Sequence, residues 1–251
     1  MQDYPQPPVP AGHVQPVPRR IRAFLGAECV LDTSRARYVW EWPAYPQYYV
    51  PREDVAPGVL VDEGADDDRP LGPARRYRVV AGGQQRDGAA WVPAGGELAG
   101  CVRFRWSALD AWFEEDEEVF VHPRSPYSRV DALRASRTVR VEVGGVLLAE
   151  STSPVLVFET GLPTRWYLPR TDVRFGELEA SDTVTTCPYK GRTSGYWSVR
   201  GAGDAGRDIA WAYDFPTREL LPIAGLVAFY DEKVDLTVDG RLQERPVTSF
   251  S

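Results

Sequence analysis

The apolar positions of this chain recur in short runs, at spacings that read as β-strands. Arg140-Val-Glu-Val-Gly-Gly-Val-Leu-Leu-Ala-Glu150 is two brief strands around a Gly-Gly turn, the pattern of a β-hairpin. Val155-Leu-Val-Phe-Glu159 is β-branched and aromatic, and it is bounded by Pro154 and Gly161. Leu226-Val-Ala-Phe-Tyr230 and Lys233-Val-Asp-Leu-Thr-Val238 alternate, and the second runs into an Asp239-Gly240 turn. Helical periodicity is nowhere sustained beyond two turns; residues 108–118 and 178–181 are the best helix candidates. Residues 62–72, with Asp66-Asp67-Asp68, and the Gly-rich residues 81–100 read as surface loops or disordered insertions. The fold expected is mainly β, built from small antiparallel sandwich-like or barrel-like domains with little helix.

An internal repeat fixes the number of domains. A shift of 118 residues lays residues 19–55 on 137–173 without a gap, with ten of 37 positions identical. Among them are Gly26/Gly144, Val39/Val157, Glu41/Glu159, Tyr49/Tyr167 and the element Pro51/Pro169, Arg52/Arg170, Asp54/Asp172, Val55/Val173. A weaker continuation aligns Tyr77-Arg78-Val79 with Trp197-Ser198-Val199, and Glu118-Val119-Phe120-Val121 with Leu226-Val227-Ala228-Phe229. The expected organisation is a disordered Pro-rich tail over residues 1–18, a first domain over 19–131 and a second over 137–240. Residues 131–136 would link the two, and 241–251 would form a C-terminal tail. Arg170 and Asp172, two apart, would share a face of a strand and pair, as would Arg52 and Asp54.

Charge narrows the class of partner. Of 29 basic residues only Lys190 and Lys233 are lysine, and the net charge of −7 argues against a nucleic-acid binder. No apolar run approaches the roughly 20 residues that span a bilayer, and residues 1–18 lack a signal-peptide core, so a cytoplasmic protein with no membrane partner is expected. Cys29, Cys101 and Cys187 are far apart, and His13 and His122 are the sole histidines, a set that does not make a structural zinc site. No metal or cofactor is expected.

The chemistry concentrates in the second repeat, at Cys187-Pro188-Tyr189-Lys190-Gly191. A thiol and an ammonium three residues apart in a turn can approach each other, which would favour thiolate. Alternatively, Cys187 is a small buried hydrophobe and Lys190 is solvated. A chain this biased to Arg retains Lys where a compact ammonium that can lose its proton is needed. Lys233, at a strand turn beside Asp231 and Glu232, reads equally as a surface ion pair. Trp166, Tyr167, Tyr189, Tyr196, Trp197, Trp211 and Tyr213 surround the loop in sequence and offer stacking surfaces as well as core.

Four segments carry a family resemblance: Glu159 with Trp166-Tyr-Leu-Pro-Arg-Thr-Asp-Val173, the Cys187–Gly191 stretch, Ile223-Ala-Gly-Leu-Val-Ala-Phe-Tyr230, and Lys233-Val234-Asp235. Together they resemble the DUF427 family, also described as a nucleotidyltransferase-like domain. The first repeat is a degenerate copy without the thiol or Lys. The resemblance implies a small, mostly β domain and no established reaction. Nucleotidyl transfer normally needs carboxylates that hold Mg²⁺, and the Gly-Ser with paired Asp residues in a strand is absent from the sequence. Asp231, Glu232 and Asp235 could bind a metal, though hairpin turns routinely carry such charges. Retention of the Arg170/Asp172 element in both copies suggests an architectural role.

Three readings follow. The first is a binding module, in which Lys190, Tyr189, Arg170, Trp197, Trp211 and Lys233 hold a small anionic or aromatic metabolite. The second is an enzyme in which Lys190 or Cys187 acts as nucleophile or acid–base group, with Asp231 or Glu232 as proton partner. The third is an interaction protein that recruits a partner through the Pro-rich tail and acidic loops. Oligomeric state is not legible.

Overall fold

A computed structural model describes residues 9–248 and Phe250. Residue contacts divide the chain between residues 127 and 128. The first half holds β1 Val14–Pro16, β2 Ile21–Leu25, β3 Glu28–Thr33, β4 Arg37–Val39, β5 Gln47–Pro51 and β6 Leu60–Arg69. It continues with β7 Gly72–Ala81, β8 Gln84–Pro93, β9 Cys101–Phe104, β10 Ala111–Glu114 and β11 Glu117–Val119. The second holds β12 Val130–Arg134, β13 Val139–Val143, β14 Val146–Ser151, β15 Val155–Glu159, β16 Arg165–Leu168 and β17 Leu178–Ser181. Then follow β18 Thr186–Cys187, β19 Gly191–Arg192, β20 Gly195–Val199, β21 Ala210–Ala212, β22 Val227–Phe229, β23 Asp235–Val238 and β24 Arg241–Leu242.

Both halves are mostly β and share one topology. Their larger antiparallel sheets run β1-β4-β5-β9-β8-β7-β6 and β12-β15-β16-β22-β21-β20-β17; their smaller ones run β11-β10-β2-β3 and β24-β23-β13-β14. Each order matches its counterpart strand for strand, with β18–β19 added in the second half. The sheets are open, so each half is a sandwich and not a barrel. In the second half Val139, Val141 and Leu148 of the small sheet meet Leu168, Ala210 and Phe229 of the large one in a shared core. The first half repeats this with Ile21, Ala23 and Leu31 against Val50, Ala90 and Phe104.

The repeated glycine closes the same turn in both halves. Gly26 and Ala27 have φ of 65° or less on the positive side (57° and 65°), and Gly144 and Gly145 have 56° and 82°. Two successive left-handed residues make the tight turn that matches strand twist.

Several expectations are corrected. Residues 62–72 and 81–93 are largely strand, in the long β6–β8 meander, while residues 94–100 are loop as expected. Arg75 pairs with Asp62 at 2.8 Å and Asp66 at 3.2 Å, and Arg76 with Glu63 at 2.8 Å and Asp67 at 3.1 Å. The acidic run is thus one side of a cross-strand charge ladder. Residues 108–118 and 178–181, read as helix candidates, are strands β10, β11 and β17, because neighbouring strands pair with them. The helical segments are single 3-10 turns or, at Arg218–Ile223, two merged across a kink. Of the expected tail, residues 1–8 lie outside the described residues, while β1 pairs with β4. Likewise, Val130–Arg134 is the edge strand β12 instead of a linker, and Arg241–Leu242 extends the small sheet from the expected C-terminal tail. Sheet order also makes β9, not residues 118–121, the counterpart of β22. Asp231–Lys233 accordingly correspond to the turn Trp106–Ala108. No helix among the described residues is long and apolar enough to cross a membrane.

Candidate functional site

The Cys-Pro-Tyr-Lys-Gly loop lies on the outer face of the second large sheet, the face turned away from the small sheet. Strands β18 and β19 form a two-residue ladder, Thr186 with Arg192 and Cys187 with Gly191, and the loop turns between them. Gly191 has φ of 94°, a left-handed conformation that glycine adopts without strain. The loop is pinned from outside: Thr217 Oγ1 donates to the Tyr189 carbonyl at 2.6 Å, and its N–H to that of Lys190 at 3.2 Å. Lys190 is therefore buried, with 7% of its surface exposed.

Its ammonium pairs with Glu159 of β15 and stands 3.9 Å from the Cys187 sulfur. Burial pulls the ammonium's pKa down, but Glu159, with Cys187 and Tyr167 adding to it, more than offsets this and holds Lys190 above the ordinary lysine range. The ion pair thus favours the charged form of Lys190. Beneath it Tyr167 is fully buried; burial raises its hydroxyl to about 12, and Trp211 Nε1 donates to that hydroxyl at 3.2 Å.

Two residues before Tyr167 on the same strand face, Arg165 forms a second buried charge group. Its guanidinium forks onto Glu232 at 2.7 and 2.5 Å and lies 3.6 Å from Asp231. The rings of Trp211 and Tyr230 stand 5.9 and 5.7 Å from it. Thr248 Oγ1 also donates to Glu232, at 2.5 Å. Burial raises the Asp231 carboxyl to about 7; Arg165 works against the shift and Glu232 adds to it. The hydroxyls of Tyr196 and Tyr230 are 3.1 Å apart, and Lys233 Nζ lies 5.3 Å from the Tyr230 ring centre. Lys190, Cys187, Trp211 and Lys233 thus share one sheet face with Arg165, Glu159 and Asp231. Tyr189 anchors the loop through its backbone.

Arg170 and Trp197 stand elsewhere. Trp197 alternates with Tyr196 along β20 and so faces the inter-sheet core, 5.4 Å from Phe175. Arg170 lies over the Trp197 ring at 5.4 Å, and bonds the Gly225 carbonyl and Asp214, each at 2.9 Å. The expected Arg170–Asp172 pair is not formed. Both belong to the 3-10 turn Arg170–Asp172, which directs neighbouring residues to different sides, and Asp172 accepts from Thr171. The first half shows what the repeat preserves: Arg52 lies 5.1 Å from the ring centre of Tyr77, the register counterpart of Trp197. Val55 and Val173 then bridge to Leu31 and Ala149 of the small sheets. The shared element is a corner between sheets, clamped by an arginine on an aromatic ring.

The equivalent face of the first half balances its glutamate differently. Glu41, the repeat partner of Glu159, bonds Arg103 at 2.9 Å and accepts from Tyr49 at 3.0 Å. Register places Arg103 of β9 where the second half has Ala228, and Trp91 of β8 where it has Trp211. A strand-borne arginine thus replaces the loop-borne lysine. Sequence reasoning gave Glu159 no site role and passed over Arg165 and Arg103. Glu41/Glu159 was visible as a repeated pair, but its two different cations lie 62 and 31 residues away.

These features define a tandem β-sandwich protein with a charged, aromatic outer sheet face. A family model, domain of unknown function DUF427, matches residues 13–115 and 131–240, so the chain belongs to that family, twice over. No curated protein matches the sequence.

Proposed function

We propose that the protein is a small-molecule binding module, acting in the cytoplasm, and that its second domain takes an anionic or aromatic metabolite at the outer face of the large sheet. The observation behind this reading is the pairing of two buried cations, Lys190 and Arg165, with Tyr167, Trp211 and Tyr230 on one side of that sheet. A purely structural face would be stabilised more simply by apolar side chains, since burying an ion pair often gains nothing over them. Lys190, Lys233 and Trp211 are retained from the sequence-based set; Arg165 and Tyr230 replace Arg170 and Trp197. A metabolite screen read by thermal shift tests this, because a ligand of the folded state raises apparent stability. Compounds should stabilise the wild type, and the gain should shrink in Lys233→Met and Tyr230→Phe. A hit whose stabilisation is unchanged in both variants would refute the site.

Acid–base chemistry is the second reading, favoured by the Asp231 carboxyl near 7 beside Arg165. It requires Asp231→Asn to abolish a turnover that Lys233→Met leaves intact. Lys190 is a poor nucleophile in this reading, because Glu159 keeps it charged.

A further inference from the structure

The first domain carries a cavity of about 200 Å³ on the outer face of its own large sheet. Tyr49, Trp91, Arg103, Arg69 and Leu98 line it, with Gly95 and Gly96 at its edge. The tip between β6 and β7, which lines it with Arg69, Leu71 and Gly72, stands in sheet order where the second domain has the Lys190 loop between β17 and β20.

The charges around it are unequal. Arg103 is neutralised by Glu41, and Glu97, which also lines the cavity, pairs with Arg37 at 2.9 Å. Arg69 pairs with no carboxylate among the described residues. Its guanidinium sits 4.1 Å from the centre of the Trp91 ring, itself almost fully buried. An arginine stacked in this way is held in place and still has its N–H edge for a carboxylate. One uncompensated cation matches a monoanion better than a phosphate dianion. The volume falls below the roughly 300–1,000 Å³ of pockets for drug-sized ligands, which restricts the occupant to a single ring.

We propose that this cavity binds a single-ring aromatic carboxylate, with its ring against Tyr49 and Leu98 and its carboxylate on Arg69. The site is separate from that of the second domain.

Benzoate is the probe, titrated calorimetrically into the full chain. Saturable binding is expected, weakened about tenfold or more in Arg69→Gln through loss of a charge-assisted hydrogen bond. Benzamide, its neutral analogue, should bind similarly weakly to the wild type. Gly95→Phe should block the cavity sterically: a Cβ there meets no atom within 4 Å, and Gly95 is not among the positive-φ glycines, so the backbone accepts it. Asp172→Ala, outside both proposed sites, should bind like wild type. Unchanged thermal midpoints of the two cavity variants establish that they fold. Absence of benzoate binding at millimolar concentration overturns the proposal, as does binding undiminished in folded Arg69→Gln and Gly95→Phe.

Discussion

At the scale of single residues, the Lys190–Glu159 contact is costly to break from one side. Lys190→Met leaves Glu159 buried without its cation, and should destabilise the second domain by about 3–5 kcal/mol. The double variant Lys190→Met/Glu159→Leu should recover most of that loss in urea unfolding. If the double variant is no better than the single one, burial of the glutamate is not the cause. Asp231 imposes a pH dependence of opposite sense to an ordinary carboxylate. Its folded value of about 7 exceeds the unfolded 3.8, so the folded chain holds an extra proton between those limits. Its contribution to stability is therefore fully present below about pH 4 and is lost as pH rises through 7. Asp231→Asn should remove that slope and raise stability at pH 8 by on the order of a few kcal/mol, at about 1.36 kcal/mol per shifted unit. Thermal midpoints of both proteins at pH 5 and pH 8 measure it; equal differences at the two values would exclude the shift.

At the scale of elements, the corner after β5 and β16 explains why Pro, Arg and Val recur. Pro51 and Pro169 both have φ of −54°, which starts the 3-10 turn, and the valine that follows crosses to the small sheet. The arginine then lies on the ring opposite. Because Arg170 is 42% exposed, its removal should cost about 1 kcal/mol and no more. Asp172→Ala should stay within about 0.5 kcal/mol of wild type. Equal losses from Arg170→Ala and Asp172→Ala in urea unfolding would restore the Arg–Asp pair as the working unit. The β6–β8 meander carries a similar lesson. A run of three aspartates looks like solvated loop until Arg75 and Arg76 of the neighbouring strand stand opposite it.

At the scale of the whole molecule, each half contains its own inter-sheet core, one from Val9 to Trp112 and the other from Val139 to Val238. A unit with a complete core unfolds cooperatively by itself. Residues 9–127 and 128–251, expressed separately, should each give a cooperative thermal transition. In the full chain, Lys190→Met should shift the transition of residues 128–251 and leave that of residues 9–127 in place. A fragment that stays unfolded would show that its core needs the other half.

The sequence by itself determined the class of structure: strand periodicity, turn glycines and a 118-residue repeat are local or translational patterns that do not depend on which strands become neighbours. It also singled out Lys190, through the loop and the scarcity of lysine. What it did not hold were pairings between distant positions. Glu159 with Lys190, Arg165 with Glu232 and Arg103 with Glu41 depend on which strands become neighbours. Arg170 and Trp197 moved away from the site for the same reason, since successive residues on a strand face opposite sides. Only the tertiary structure decided which face each side chain joined, because sheet order, unlike strand propensity, is set by contacts far apart in the chain.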